Sequence, residues 1–151
     1  MQILQSTLSH VFVGVLGAVI ALSARAGEAN NADILGKWTV VTALDSADVT
    51  AIDDKQAKRL VGKPVSISKD SFAFDGRVCR SPTYARTQER TADYFREQMH
   101  ASTDKLHLPA TVTPIDARCT FLFPKADGKL MFLWKGFFFD AQRKKPWQNR
   151  R

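Results

Sequence analysis

The densest hydrophobic patterning lies between Asp116 and Arg143. Apolar runs at Cys119–Phe123, Lys129–Trp134 and Phe137–Arg143 are punctuated by Asp127-Gly128 and Lys135-Gly136. Glycine after a small polar or charged residue favours the φ > 0 turns that reverse a chain into a hairpin, so the spacing predicts three antiparallel strands joined by two tight turns. The block holds most of the ten Phe residues and one of the three Trp. That density of rings predicts a sheet buried on at least one face.

The remaining elements follow in chain order. Ile34–Leu44 is rich in β-formers and predicts a first strand. Thr50-Ala51-Ile52-Asp53 offers a helix N-terminus, and the helix would run to Val61 with Ile52, Ala57, Leu60 and Val61 on one face, ended by Gly62 and Pro64. Pro64–Ser68 and Ser71–Phe74 read as two short strands, the alternation sending Phe72 and Phe74 to the same side. Arg77–Arg90 reads as an edge strand or loop. Thr91–His100 predicts a short amphipathic helix with Thr91 as N-cap and Tyr94, Phe95, Gln98 and Met99 forming a face. Val112–Ile115 starts a further strand. The sum is a mainly β chain, a small antiparallel β-barrel or strongly curved sheet with two short helices.

The two ends change the picture. Val11–Leu22 is an uncharged apolar run followed by Ala24-Arg25-Ala26, the layout of a secretory signal peptide cleaved before Gly27, although Met1–His10 lacks the usual Lys or Arg. The expected organisation is therefore a removed signal peptide (1–26), a single β-barrel-like domain (27–145) and a flexible basic tail (146–151). A periplasmic or secreted location follows, with no stable membrane insertion after leader removal. In that setting two cysteines, Cys79 and Cys119, read as a disulfide.

Gly36-Lys37-Trp38 resembles the Gly-x-Trp that opens the first strand of lipocalins and similar small calycin barrels. Arg143 stands where those families place an Arg over the Trp ring. The resemblance implies a small up-and-down barrel, structural roles for Trp38 and Arg143, and a carrier of a small apolar ligand. The physical sense is a guanidinium stacked on indole while its donors reach backbone carbonyls at the barrel's end. Thr50–Val61 departs from the family pattern, which has no helix directly after the first strand.

Candidate chemistry is sparse. His100, His107 and Asp104 make a conceivable metal site, although polar residues on a loop explain them as well. There is no Gly-x-Ser-x-Gly elbow and no phosphate-cradling Gly-rich loop, and the acids are scattered. The expectation is a protein that is not an enzyme and has no cofactor or bound metal. A formal net charge of +7 favours anionic partners without identifying one. Within Arg77–Arg90, the residues Arg77, Arg80, Tyr84, Arg86 and Arg90 are the candidate partner-binding set, since Arg and Tyr dominate interface hot spots. The partner would be an acidic protein or anionic envelope component rather than nucleic acid, in an inhibitor or immunity-type role. A charged edge protected against aggregation accounts for the same residues.

Overall fold

A computed structural model describes residues 31–144. The signal peptide, its cleavage site and the tail from Pro146, with Trp147, lie outside the described residues.

Among the described residues ten strands form in chain order: β1 (Gly36–Ser46), β2 (Pro64–Ser68), β3 (Ser71–Phe74), β4 (Arg77–Arg80), β5 (Glu89–Arg90), β6 (Thr111–Val112), β7 (Ile115–Asp116), β8 (Phe121–Pro124), β9 (Lys129–Trp134) and β10 (Phe137–Arg143). Eight make one antiparallel sheet, ordered β4-β3-β2-β1-β10-β9-β8-β7, and β5 pairs with β6 in a separate ribbon. The large sheet curls into a half-barrel, consistent with a calycin-like fold. Register shifts in β1 between Val40 and Thr42 and between Ala43 and Asp45 help it to coil against β10.

The inner face carries the larger core. Trp38, Val65, Ile67, Phe72, Phe74, Phe132, Trp134 and Phe139 are all buried there. Phe72, Phe74, Phe132, Trp134 and Phe139 contact one another at ring-centroid separations of 5.1–6.4 Å, in mostly tilted or edge-on geometries. Each fully buried Phe contributes roughly 1.5–3 kcal/mol relative to exposure.

The outer face of β8–β10 is covered too. Phe95, Met99, Leu106 and Val112 pack on Phe123, Met131 and Phe138 in a second cluster. This is why β9 and β10 read as nearly continuous apolar runs. Between the layers Lys125 Nζ donates to Asp140 (3.0 and 3.2 Å) and to the Leu106 carbonyl (2.9 Å), and both side chains of the ion pair are 5% exposed.

Several boundaries differ from expectation. The first helix is the single turn α1 (Asp54–Lys58), not Thr50–Val61. Ala51 N–H donates to the Lys135 carbonyl, so the preceding loop is tied to the β9–β10 turn. Asp53 then caps, in a reciprocal box with Gln56. Ala57 and Leu60 are buried, whereas Val61 is exposed. The second helix is an α turn, α2 (Thr91–Tyr94), running into a π turn over Phe95–Met99. Thr91 is not its N-cap; it is buried, with Oγ1 donating to the Pro109 carbonyl. Gln98 faces outward. The expected Val112–Ile115 strand is split by Pro114, leaving β6 in the ribbon and β7 in the main sheet.

The β3–β4 and β9–β10 hairpins turn on Asp75-Gly76 (φ 48° and 76°) and Lys135-Gly136 (φ 53° and 86°), two-residue loops of the type the sheet's twist prefers. Of the described residues, none forms a helix long and apolar enough to cross a membrane.

Candidate functional site

Sheet order leaves β4 and β7 as the two edges, and the curl brings them toward each other. Cys79 on β4 and Cys119 after β7 are joined in a disulfide with Cα atoms 6.1 Å apart. Such a bond is compatible with an extracellular or periplasmic location. Arg118 Nη1 donates to the Arg80 carbonyl across the same seam. The segment after β4 fills the gap, with Tyr84 N–H donating to the Asp116 carbonyl and Asp116 N–H to the Ala85 carbonyl. Neither edge is left as a long free template for another strand.

Beside that seam, the end of the half-barrel where β1 begins is plugged by Asn31–Leu35, since Gly36, Ile67, Phe72 and Cys79 form one cross-strand row. Arg143 lies 4.4 Å over the Trp38 ring, and its guanidinium donates to the carbonyls of Leu35 and Asp33. Trp38 Nε1 donates to the Ile34 carbonyl at 2.8 Å. Gly36 sits at φ +134°, a conformation that residues with a Cβ rarely adopt, and an added Cβ would also stand 2.7 Å from Arg143 Nη1 and push the guanidinium aside. The Gly-x-Trp spacing thus places a cation directly over the backbone that precedes the ring.

The arginine-rich stretch is divided among several environments. Tyr84 does not stand among surface arginines: it is 3% exposed, at φ +50°, with its ring in the inner core. Its hydroxyl donates to the Ser68 carbonyl at 2.7 Å, with the Ser71 carbonyl at 3.1 Å. Burial, reinforced by Asp70, pushes that phenol up to about 12. Arg86 holds the plug, donating to Asn31 Oδ1 and pairing with Asp33. Arg90 pairs with Asp93 on the separate ribbon. Arg77 and Arg80 are exposed on β4 and make no ion pair among the described residues. The five residues do not form one surface; Arg77 and Arg80 are the part that stays free.

What adjoins Arg77 has no counterpart in the linear motif. The outer face of β1–β4 carries a trough of about 430 Å³ lined by Lys37, Lys63, Ser66, Ala73, Arg77 and Val78, among others. Lys37, Ser66, Ala73 and Val78 are direct cross-strand partners in succession, so they form one row across four strands. The row dips because Ser66 and Ala73 are small. Val78 is 55% exposed. At one end Asp75 bridges Lys63 (2.7 Å) and Lys135 (3.0 Å). Lys63 and Lys135 therefore share one carboxylate, while Lys37 bonds Ser66 Oγ and Arg77 makes no ion pair among the described residues. Sequence parity could have placed Lys37 and Ser66 outward, but nothing in one dimension brings Lys135 to Asp75.

Lys63 and Lys135 hold the Asp75 carboxyl below its ordinary value. A carboxyl with a lowered folded-state pKa stabilises the fold above its ordinary titration range, and that contribution vanishes as pH falls through the lowered value. Asp75→Asn should therefore be less stable than wild type at neutral pH and equal to it in strong acid. Urea midpoints measured from about pH 7 down to about pH 2 check this, the gap closing below about pH 4. A gap constant with pH would mean the loss came from packing.

His100 and His107 are exposed, and no group of three or more His, Cys, Asp or Glu able to hold a metal ion occurs among the described residues. Within the inner core Trp134 Nε1 is buried without a hydrogen-bond partner. Comparison with known proteins found no matching family model, no matching curated protein and no matching solved structure.

Proposed function

We propose that this chain is a non-catalytic binding protein of the periplasm or the secreted space, engaging an acidic macromolecular partner of the cell envelope. The role is of the inhibitor or immunity type. The observation that carries the reading is the pair Arg77 and Arg80, exposed on β4 with no carboxylate in ion-pairing reach among the described residues. Arginine is weakly hydrated and pairs bidentately with carboxylates, so two free guanidiniums, set on opposite faces of β4 by their three-residue spacing, suit an acidic surface that grips the edge of the strand. The disulfide supports the oxidising compartment. The reading moves the binding surface from the whole of Arg77–Arg90 to the β4 end of it.

The test uses the full chain as bait in envelope extract at low salt, beside Arg77→Glu/Arg80→Glu. The expected result is an acidic protein retained by the wild type, released by about 0.5 M salt and lost with the double variant. An identical set of proteins on both baits would overturn the reading.

Trp134 Nε1 favours a second reading, a lipocalin-like carrier whose apolar ligand offers one hydrogen-bond acceptor to the interior. The mutual ring contacts that fill the same region weigh against it.

A further inference from the structure

We infer that the trough on the outer face of β1–β4 is a docking site for a short extended acidic segment of the form acid-x-apolar-x-acid. The inference rests on the reading above and specifies what the partner presents.

Length, charge and surface chemistry each contribute. Lys37 on β1 and Val78 on β4 are separated by three strand spacings, roughly 14 Å at ~4.8 Å each. An extended chain advances ~3.3 Å per residue, so about four residues span the row. Residues i, i+2 and i+4 of such a segment face the same way. Carboxylates at i and i+4 then meet Lys37 at one end and, at the other, Arg77 at the β4 edge, which lies opposite Phe74 and not in the row itself but is among the residues that line the trough. Residue i+2 lands over Ser66 and Ala73, beside exposed Val78, where a small apolar side chain removes water from an apolar floor. Lys63 and Lys135 already share Asp75, so the local surplus stays positive and disfavours a basic or neutral segment. Lys37 Nζ donates to Ser66 Oγ (2.7 Å), which holds the ammonium over the row rather than leaving it free in solvent.

A lipid is the weaker occupant. A trough of about 430 Å³ open along its length would leave an acyl chain largely in water. Strand addition is weaker still, because Cys119 sits beside Cys79 where an added strand would run.

The experiment titrates the isotope-labelled full chain with the capped pentapeptide Glu-Ser-Val-Ser-Glu, following backbone amide shifts. Lys-Ser-Val-Ser-Lys and phosphatidylglycerol vesicles serve as comparisons. The expected result is saturable shifts centred on Lys37, Ser66, Ala73 and Val78, with none from the basic peptide. Ala73→Trp fills the trough while leaving every cation in place, and it should weaken the acidic peptide at least about tenfold. Its thermal melt should match wild type, since the side chain points outward from the sheet.

Shifts elsewhere, an unchanged affinity in Ala73→Trp, or tighter binding of the vesicles at the same residues would each overturn the inference. Failure of the two readings is separable. A partner retained by Ala73→Trp bait but lost with Arg77→Glu/Arg80→Glu leaves the acidic-partner reading standing and removes the trough. Peptide binding at the trough, with both baits retaining the same proteins, does the reverse.

Discussion

Replacing Lys125 with Met should destabilise the protein by about 3–5 kcal/mol, a large share of the stability of a domain this size. The ammonium is the ion-pair partner of Asp140 and also satisfies the Leu106 carbonyl, in a layer from which water is excluded. Removing it strands a buried carboxylate, and stranding one member of a buried pair costs far more than the pair itself contributes. The discriminating variant is Lys125→Met/Asp140→Leu. With both charges gone the desolvation cost disappears, and the double variant should recover at least half of the loss despite the orphaned carbonyl. Urea unfolding of the three proteins decides it. A double variant as unstable as Lys125→Met would show that the pair acts through the Leu106 carbonyl and not through charge.

The second large effect belongs to the seam. Cys79→Ser/Cys119→Ser removes a cross-link between positions 40 residues apart, worth about 3–4 kcal/mol by loop-closure entropy. Its local consequence is distinctive. The chain has two tyrosines, and burial pushes both phenols up to about 12, Tyr84 at the seam and Tyr94 under the outer layer. Loosening the seam exposes Tyr84 alone. Spectrophotometric titration of the folded double variant should show one phenol returning toward the ordinary value near 10 while the other stays high. If both stay high, the seam is held by the Tyr84 and Arg118 hydrogen bonds, and the bridge acts on the unfolded chain only.

These features show where sequence reasoning succeeds. β2, β3, β9 and β10 fall where alternation and glycine turns placed them, because their determinants are local. β1 starts two residues later than Ile34, since Ile34 and Leu35 serve the plug that Arg143 and Trp38 grip, a relation across the whole chain. The arginine-rich stretch misled for the same reason. A run of charge looks like one surface until the fold turns Tyr84 inward at φ +50° and gives Arg86 to Asp33 and Arg90 to Asp93. The trough was invisible because its cations come from β1, β4 and the loops at Lys63 and Lys135, which become neighbours only through strand order.

The pairing of β1 with β10 also fixes the order in which the molecule can assemble. β2–β4 and β8–β10 are runs of hairpins whose contacts are near in sequence and form early, but the two halves meet at a junction between the first strand and the last. Closing that junction spans roughly a hundred residues, so its entropic cost falls on a single late step. Until Phe137–Arg143 has been synthesised β1 lacks one of its two neighbours, and its apolar inner face waits half-covered. A growing chain should therefore carry an adhesive surface until β10 emerges, a stage at which aggregation competes with folding.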